Sequence, residues 1–239
     1  YNVMFSQRGV MNLAHNLHDV RELKRRTHAN RLNGIDCEWL NTGQVKKFCP
    51  IINCSPDIRY PVHGSTLQRR AGTARHDAVA WGYARGADSM GVDIIQNCEV
   101  KGIKRKGDSV EGIETTKGFI KTSKVGVVAA GHSSVLANMA GIRLPLESKP
   151  LQALVSEPIK PIIDTVVMSN AVHAYVSQSD KGELVIGAGT DAYISYTQKG
   201  THEVVEGTLK AILELYPIFS RLRMLRQWGG IVDICPDAS

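Results

Sequence analysis

The chain has 239 residues, a net charge of +6, 43% hydrophobic residues and 22% charged residues, the balance of a globular protein with one large domain or two modest ones. No apolar run approaches the ~20 residues needed to span a bilayer, which argues against a membrane segment. Its basic residues are scattered and its aromatics few, which argues against a nucleic-acid surface and makes a phosphate-bearing ligand the better match for the positive charge.

In chain order, strand-like residues surround Phe5 and Met11. Residues 18–34 read as a helix with Val20, Leu23, Arg26 and His28 on one stripe and Asn33-Gly34 as its stop. Residues 41–50 read as a short helix capped by Asn41 or Thr42 and ended by Pro50. Residues 59–74 are loop and short strand, broken by Pro61, Gly64 and Gly72. Apolar residues at helical spacing then run from Ala78 to Met90, Gly91 ends the helix, and residues 92–100 follow as a strand. Residues 101–124 read as an antiparallel meander with glycine turns. The continuous apolar run "VGVVAAG", residues 125–131, predicts a strand buried on both faces, leading into a helix over 134–141. From Lys149 the texture changes. Residues 151–159, 165–192 and 226–234 read as strands around a single helix over 203–222, with Val205, Leu209, Ile212 and Leu213 on one face.

The fold class expected is therefore α/β plus α+β: part of a Rossmann-like nucleotide-binding domain with an antiparallel-sheet substrate domain. The five cysteines, Cys37, Cys49, Cys54, Cys98 and Cys235, are odd in number and form no CxxC pair. They point away from a disulfide framework and from a structural zinc site, no metal is expected, and a reducing cytoplasm fits them best.

Four stretches can carry chemistry, and each has a plain alternative. In "VVAAGHSS" (127–134), Gly131 allows backbone to approach a cofactor closely and Ser133 and Ser134 can face a phosphate; an ordinary strand–turn–helix corner is the alternative. In "RHDAVAWGYAR", His76 stands where a helix begins. It can be a surface residue, an anion contact or a nucleophile, and Asp77 can cap the helix or orient its ring. In "NAVHAYVSQ", a strand would place His173 and Tyr175 on one face, lining a pocket or forming a satisfied sheet pair. In "RMLRQWGG", Arg226 offers a fork suited to phosphate, or is simply solvated.

Together the stretches "FSQRGVMNLAH", "RHDAVAWGYAR", "GVDIIQNCEV", "AAGHSSVLANMAG", "PLQALVSEPIKP", "VVMSNAVHAYVSQSDKGELVIGAG" and "RQWGGIVD" resemble the β-subunit family of heterotetrameric sarcosine oxidases, flavoenzymes of the D-amino-acid-oxidase-like superfamily. The resemblance runs through essentially the whole chain. It implies oxidation of sarcosine, an N-methyl amine, to glycine and a one-carbon unit at FAD, with electrons passing through FMN to oxygen and forming hydrogen peroxide. It implies that His76 carries FMN covalently through the flavin 8α carbon, and that His173 and Arg226 contact FMN. Val100 matches a position whose backbone holds the FAD adenine, Gly131 is part of the FAD corner, and Tyr175 faces a flavin or the substrate. The implied partners are the α, γ and δ subunits and a small-molecule amine. Residues 1–72 and 151–225 would form the substrate and FMN side, and 73–150 with 226–239 part of the FAD-binding domain. The chain starts at Tyr1 without methionine and is expected to be an internal fragment. The family's Gly-rich βαβ turn would precede Tyr1, and its C-terminal glycine-rich stretch and lysine would follow Ser239. A related dehydrogenase of the dimethylglycine or proline type, and a truncated subunit that only binds its partners, are the competing readings.

Overall fold

The computed structural model describes residues 3–237. In chain order the elements are β1 (Phe5–Gln7), β2 (Val10–Ala14), α1 (Leu17–Leu32), β3 (Glu38–Leu40), α2 (Thr42–Phe48), β4 (Gly64–Gln68), β5 (Gly72–Ala74), α3 (His76–Ser89), β6 (Val100–Lys106), β7 (Ser109–Thr115) and β8 (Gly118–Lys121). There follow α4 (Ser133–Met139), β9 (Glu147–Pro158), β10 (Val166–Ser169), β11 (Ala174–Gln178), β12 (Glu183–Thr190), α5 (His202–Leu215) and β13 (Met224–Ile234), with single 3₁₀ turns over Ala130–His132 and Pro217–Arg221. The chain divides into two compact units. The first holds the residues up to Gly82, Gln152–Thr190 and Lys199–Gly229; the second holds Tyr83–Leu151, Asp191–Gln198 and the residues from Gly230 on.

The first unit is built on a mixed sheet of eight strands in the order β13-β9-β12-β11-β10-β2-β4-β3. Its centre is the parallel pairing of β2 with β10, Met11 opposite Val167 and Leu13 opposite Ser169. β4 and β11 flank that pair in antiparallel register. One face is the core. Met11, Leu13, Leu67, Val167, Val176 and Leu184 meet Val45 of α2 and Ile212 and Leu215 of α5, all at 5% exposure or less. Each such side chain removed from water stabilises the fold by roughly 1.5–3 kcal/mol.

The helix ends follow local chemistry. Asn41 and Gln44 form a reciprocal capping box at the start of α2, which leaves fewer orphan amide donors there. In α1 the buried stripe is Leu23 with Thr27, not Arg26 or His28, which are exposed. Thr27 can be buried because its hydroxyl donates to the Leu23 carbonyl at 2.8 Å, a local bond that satisfies the polar group. The long helix expected over 203–222 is instead α5 ending at Leu215 and a 3₁₀ turn over Pro217–Arg221. Pro217 has no N–H to continue the ladder and pushes Tyr216 out of the helical region, to φ −135° and ψ 74°.

The second unit contains the antiparallel meander β6-β7-β8, with α4 against β6 and the Arg105 guanidinium donating to the Ala140 carbonyl. Two strands expected here do not form among the described residues. Residues 92–99 lie outside any ladder, so the strand begins at Val100, and residues 124–129 are likewise unpaired. Val128 is 99% exposed, and Val92, Ile94, Ile95, Val125 and Val127 are also exposed. An apolar run is a buried strand only when neighbouring strands take its backbone groups, and neither run has such a neighbour here.

Gly72 sets the ribbon of β1 and β5. It lies opposite Gln7, and a Cβ there would overlap the Ser6 carbonyl oxygen. Gly72→Ala is expected to destabilise the first unit by about 1–3 kcal/mol, read as a lower urea midpoint at unchanged slope. A midpoint equal to wild type would contradict the close approach.

Candidate functional site

The face of the eight-stranded sheet turned away from the core is only partly covered. Register places Trp39, Thr66, Asn12, Met168, Tyr175 and Gly187 in one row across six strands. α1 packs on β2, β4 and β3, with the Lys24 ammonium over the Trp39 ring, and buries Asn12, Ala14 and Thr66. Farther along the row the cover ends: Met168 is 36% exposed and Tyr175 37%. The Tyr175 ring lies over Gly187, where any Cβ would overlap it. Aromatic cover of a cross-strand glycine holds the ring flat on the sheet. Partial burial raises the phenol's pKa above its ordinary value, so Tyr175 is a protonated donor at neutral pH.

Arg226 stands on β13, the edge strand of the same sheet, and is exposed. Leu154 belongs to the core, so Gln152, two residues earlier on β9, points to the core side as well. The Gln227 side chain donates to the Gln152 side chain at 3.0 Å. Arg226 lies over the Trp228 ring at 5.9 Å, and β13 is three strand spacings from β11, about 14 Å.

His173 corrects the sequence expectation. It is not in a strand with Tyr175 but in the turn between β10 and β11, at φ +47°, with its N–H donating to the Asn170 carbonyl at 3.2 Å. The period-2 argument therefore does not apply to the pair. A positive φ is uncommon for a side-chain-bearing residue and histidine is among those that tolerate it. His173 is exposed at the end of the sheet where β2 reaches Ala14 and β10 reaches Ser169.

His76 is the first residue of α3, as its setting in the sequence predicts. It is exposed, and neither ring nitrogen is engaged by a described residue. Asp77 does not orient its ring. The Arg75 guanidinium grips the Asp77 carboxylate and holds it below the usual carboxylate range. The β1–β5 ribbon leading to His76 leaves the sheet at the Val10 and Gln68 end, opposite the turn that carries His173. Val100 and Gly131 lie in the second unit. Val100 opens β6 opposite Thr115. Gly131 is buried, takes the Ser148 hydroxyl on its carbonyl, and lies where a Cβ would crowd Ile231. The closest approach at this glycine is thus to its own chain. The structure sets Tyr175 in one row with Met168 and Asn12, puts Arg226 on the edge strand three spacings away, and leaves His76 and His173 at opposite strand ends. Asn12 and Met168 escape a sequence reading because their place depends on the β2–β10 pairing, across more than 150 positions.

One cavity lies elsewhere. It measures about 580 Å³ and is lined by Arg8, Arg69, Asp164 and Asp180 among others. Arg8 is already bound to Asp180 and Arg69 to Glu38, so its cations are spent on internal partners. Among the described residues no cluster of histidine, cysteine or carboxylate side chains could hold a metal ion, all five cysteines are free, and no helix is long and apolar enough to cross a membrane.

The family model for FAD dependent oxidoreductases, DAO, matches residues 1–239. The chain belongs to this family. Sarcosine oxidase subunit beta of Arthrobacter sp is 59% identical over 238 residues, and that of Rhodobacter capsulatus 56% over 239; each match takes in 100% of this chain. The chain spans 59% and 58% of their lengths. L-proline dehydrogenase from P. horikoshii has the same fold with a TM-score of 0.87 at 26% identity, over 99% of this chain and 63% of that one. Glycine oxidase from Geobacillus kaustophilus has a TM-score of 0.83 at 18% identity, over 99% of this chain and 62% of its own.

The overlap between Gly187 and Tyr175 gives a double-mutant test. Gly187→Ala is expected to destabilise by about 1–3 kcal/mol, and much less once Tyr175→Ala has removed the ring. A coupling of about 0.5–3 kcal/mol should appear in the thermodynamic cycle; strict additivity would mean that the ring does not lie over the glycine.

Proposed function

We propose that this chain belongs to a flavin-dependent amine oxidase of the sarcosine oxidase β-subunit type, oxidising sarcosine to glycine and a one-carbon unit. The observation that carries the reading is the 59% identity to such a subunit along the whole chain. The partly uncovered sheet face, with a planar phenol on it, supports the reading from the side of geometry, because a flat ring system fits there. Bound FAD would supply the hydride acceptor for the N-methyl carbon, and FMN the route for electrons to oxygen that forms hydrogen peroxide.

In this reading the chain's own residues bind and orient. His76 anchors FMN, which suits an exposed imidazole with both nitrogens unengaged at a helix start. Arg226 and His173 contact the same group, the arginine through a fork matched to phosphate. Tyr175 donates its phenol hydrogen to a flavin edge or to the substrate carboxylate. The Val100 backbone holds the adenine of FAD and Gly131 forms part of its corner. Residues 1–72 and 151–225 make the substrate and FMN side, and 73–150 with 226–239 part of the FAD side. The α, γ and δ subunits complete the enzyme in the cytoplasm. The likeness to L-proline dehydrogenase favours one second reading, an imino-acid or dimethylglycine dehydrogenase without FMN.

Intact mass and mapping of the peptide that holds His76, on the full-length protein with its partner subunits, separate the two readings. An FMN-sized adduct on His76 is expected. His76→Ala should remove the adduct while changing stability by no more than about 0.5 kcal/mol, because the side chain is exposed. An unmodified His76 in the assembled protein favours the dehydrogenase.

A further inference from the structure

Beyond these site residues, three segments that are far apart in sequence meet at one buried side chain. His15 follows β2, is 6% exposed, and uses both ring nitrogens. Nδ1 lies 3.0 Å from the Tyr60 carbonyl and 3.2 Å from the Pro61 carbonyl. Facing two acceptors, Nδ1 must carry the hydrogen. In the neutral ring Nε2 is then the acceptor, and the Ser169 hydroxyl donates to it at 2.8 Å. The backbone around the ring is tied down too. The His15 N–H donates to the Asp19 carboxylate at 3.0 Å and the His63 N–H to the Ala14 carbonyl at 2.9 Å. Ser169 is the last residue of β10, opposite Ala174, so this pair closes the turn that carries His173 in its left-handed conformation.

We propose that His15 is a positioning residue. Its neutral imidazole, wedged between the 60–61 carbonyls and the Ser169 hydroxyl, fixes the turn 170–173 and with it the placement of His173. The consequence for flavin rests on the reading of His173 as a flavin contact; the positioning itself does not. A free turn with a side-chain-bearing residue at positive φ has little local reason to hold one conformation. A buried hydrogen bond at its base supplies one, and it passes through a ring that is itself held from two other segments.

The couple also makes the turn sensitive to acid. The titratable groups that act on the ring are Asp19, which favours its protonation, and His63, which opposes it; the Tyr60 ring meets it edge-on. Burial dominates and lowers the pKa below 6.5. Protonation would reverse the bond to Ser169 and leave the serine hydrogen seeking another acceptor in a site only 5% exposed. Because the folded-state pKa is the lower one, the stabilisation is present above pH 6.5 and is lost as pH falls from there toward the folded value.

Hydrogen-exchange mass spectrometry of the full-length protein, with its partner subunits, tests the proposal. Ser169→Ala is expected to raise exchange in the peptide spanning 168–175 about five- to tenfold, the loss of one hydrogen bond. The β2 and β4 peptides should stay at wild-type rates, and Ser169→Thr, which keeps the hydroxyl, should restore the turn. Equal acceleration across the whole sheet, or none in the turn, overturns the proposal. Should Ser169→Ala fail to fold, nitrogen-15 NMR of the wild-type histidines decides: a neutral ring at pH 7 protonated at Nδ1 supports the proposal, and any other form of His15 overturns it. The visible circular dichroism of bound flavin in His173→Ala tests the flavin contact separately. If it does not move while Ser169→Ala loosens the turn, the positioning stands and only the flavin assignment of His173 falls.

Discussion

The parallel contact between Val10–Ala14 and Val166–Ser169 is the constraint on which the first unit depends. It joins an N-terminal group of strands, β2, β4 and β3, to a C-terminal group, β10 to β13 with β9, and makes one sheet of them. Everything on the candidate face inherits its position from that register. A shift of one residue would turn Met168 into the core and Val167 out of it. Closing so long a loop is entropically costly, and the offsetting gain is local and large: Met11, Leu13 and Val167 are all at 3% exposure or less.

The same sheet explains why the two faces do different things. The core face is filled by α2, α5 and the 3₁₀ turn after α5. The other is covered by α1 at one end only, where Thr27 and Leu23 pack and Asn12 is buried with a side-chain oxygen that has no partner among the described residues. Where α1 stops, half-exposed Met168 and Tyr175 begin. In a fold whose helices crowd one side, the open side of the sheet is where a flat ligand can meet several strands at once.

How legible this was depends on the range of the interaction. Caps and breaks are local and could be read: a cap at Asn41 or Thr42, Pro50 after α2, and the start of α3 at His76. The meander of β6 to β8 was readable from its glycine turns. Features decided by distant partners were not. "VGVVAAG" has the composition of a buried strand, but burial is a property of neighbours, and Val128 has none among the described residues. His173 looked like a strand residue because the strand pattern around Tyr175 is strong; only the backbone shows that it lies in the turn. Arg226 was identifiable as a candidate, but its place three strands from Tyr175 follows from the strand order, which no spacing rule reveals. The resemblance named the candidate residues more completely than periodicity did, while the geometry separates Tyr175 on the open sheet face from His76 and His173 at opposite strand ends.

The overlap of Tyr175 with Gly187 carries a consequence for descent as well as for stability. The two positions occupy one volume, so neither can change freely while the other stays as it is. A lineage that enlarges residue 187 must first, or at the same time, give up the ring at 175, and a lineage that keeps the ring keeps the glycine. Drift at these two sites is therefore expected to be correlated, and a chain that retained the aromatic but lost the glycine would have to reshape the open face of the sheet to do so.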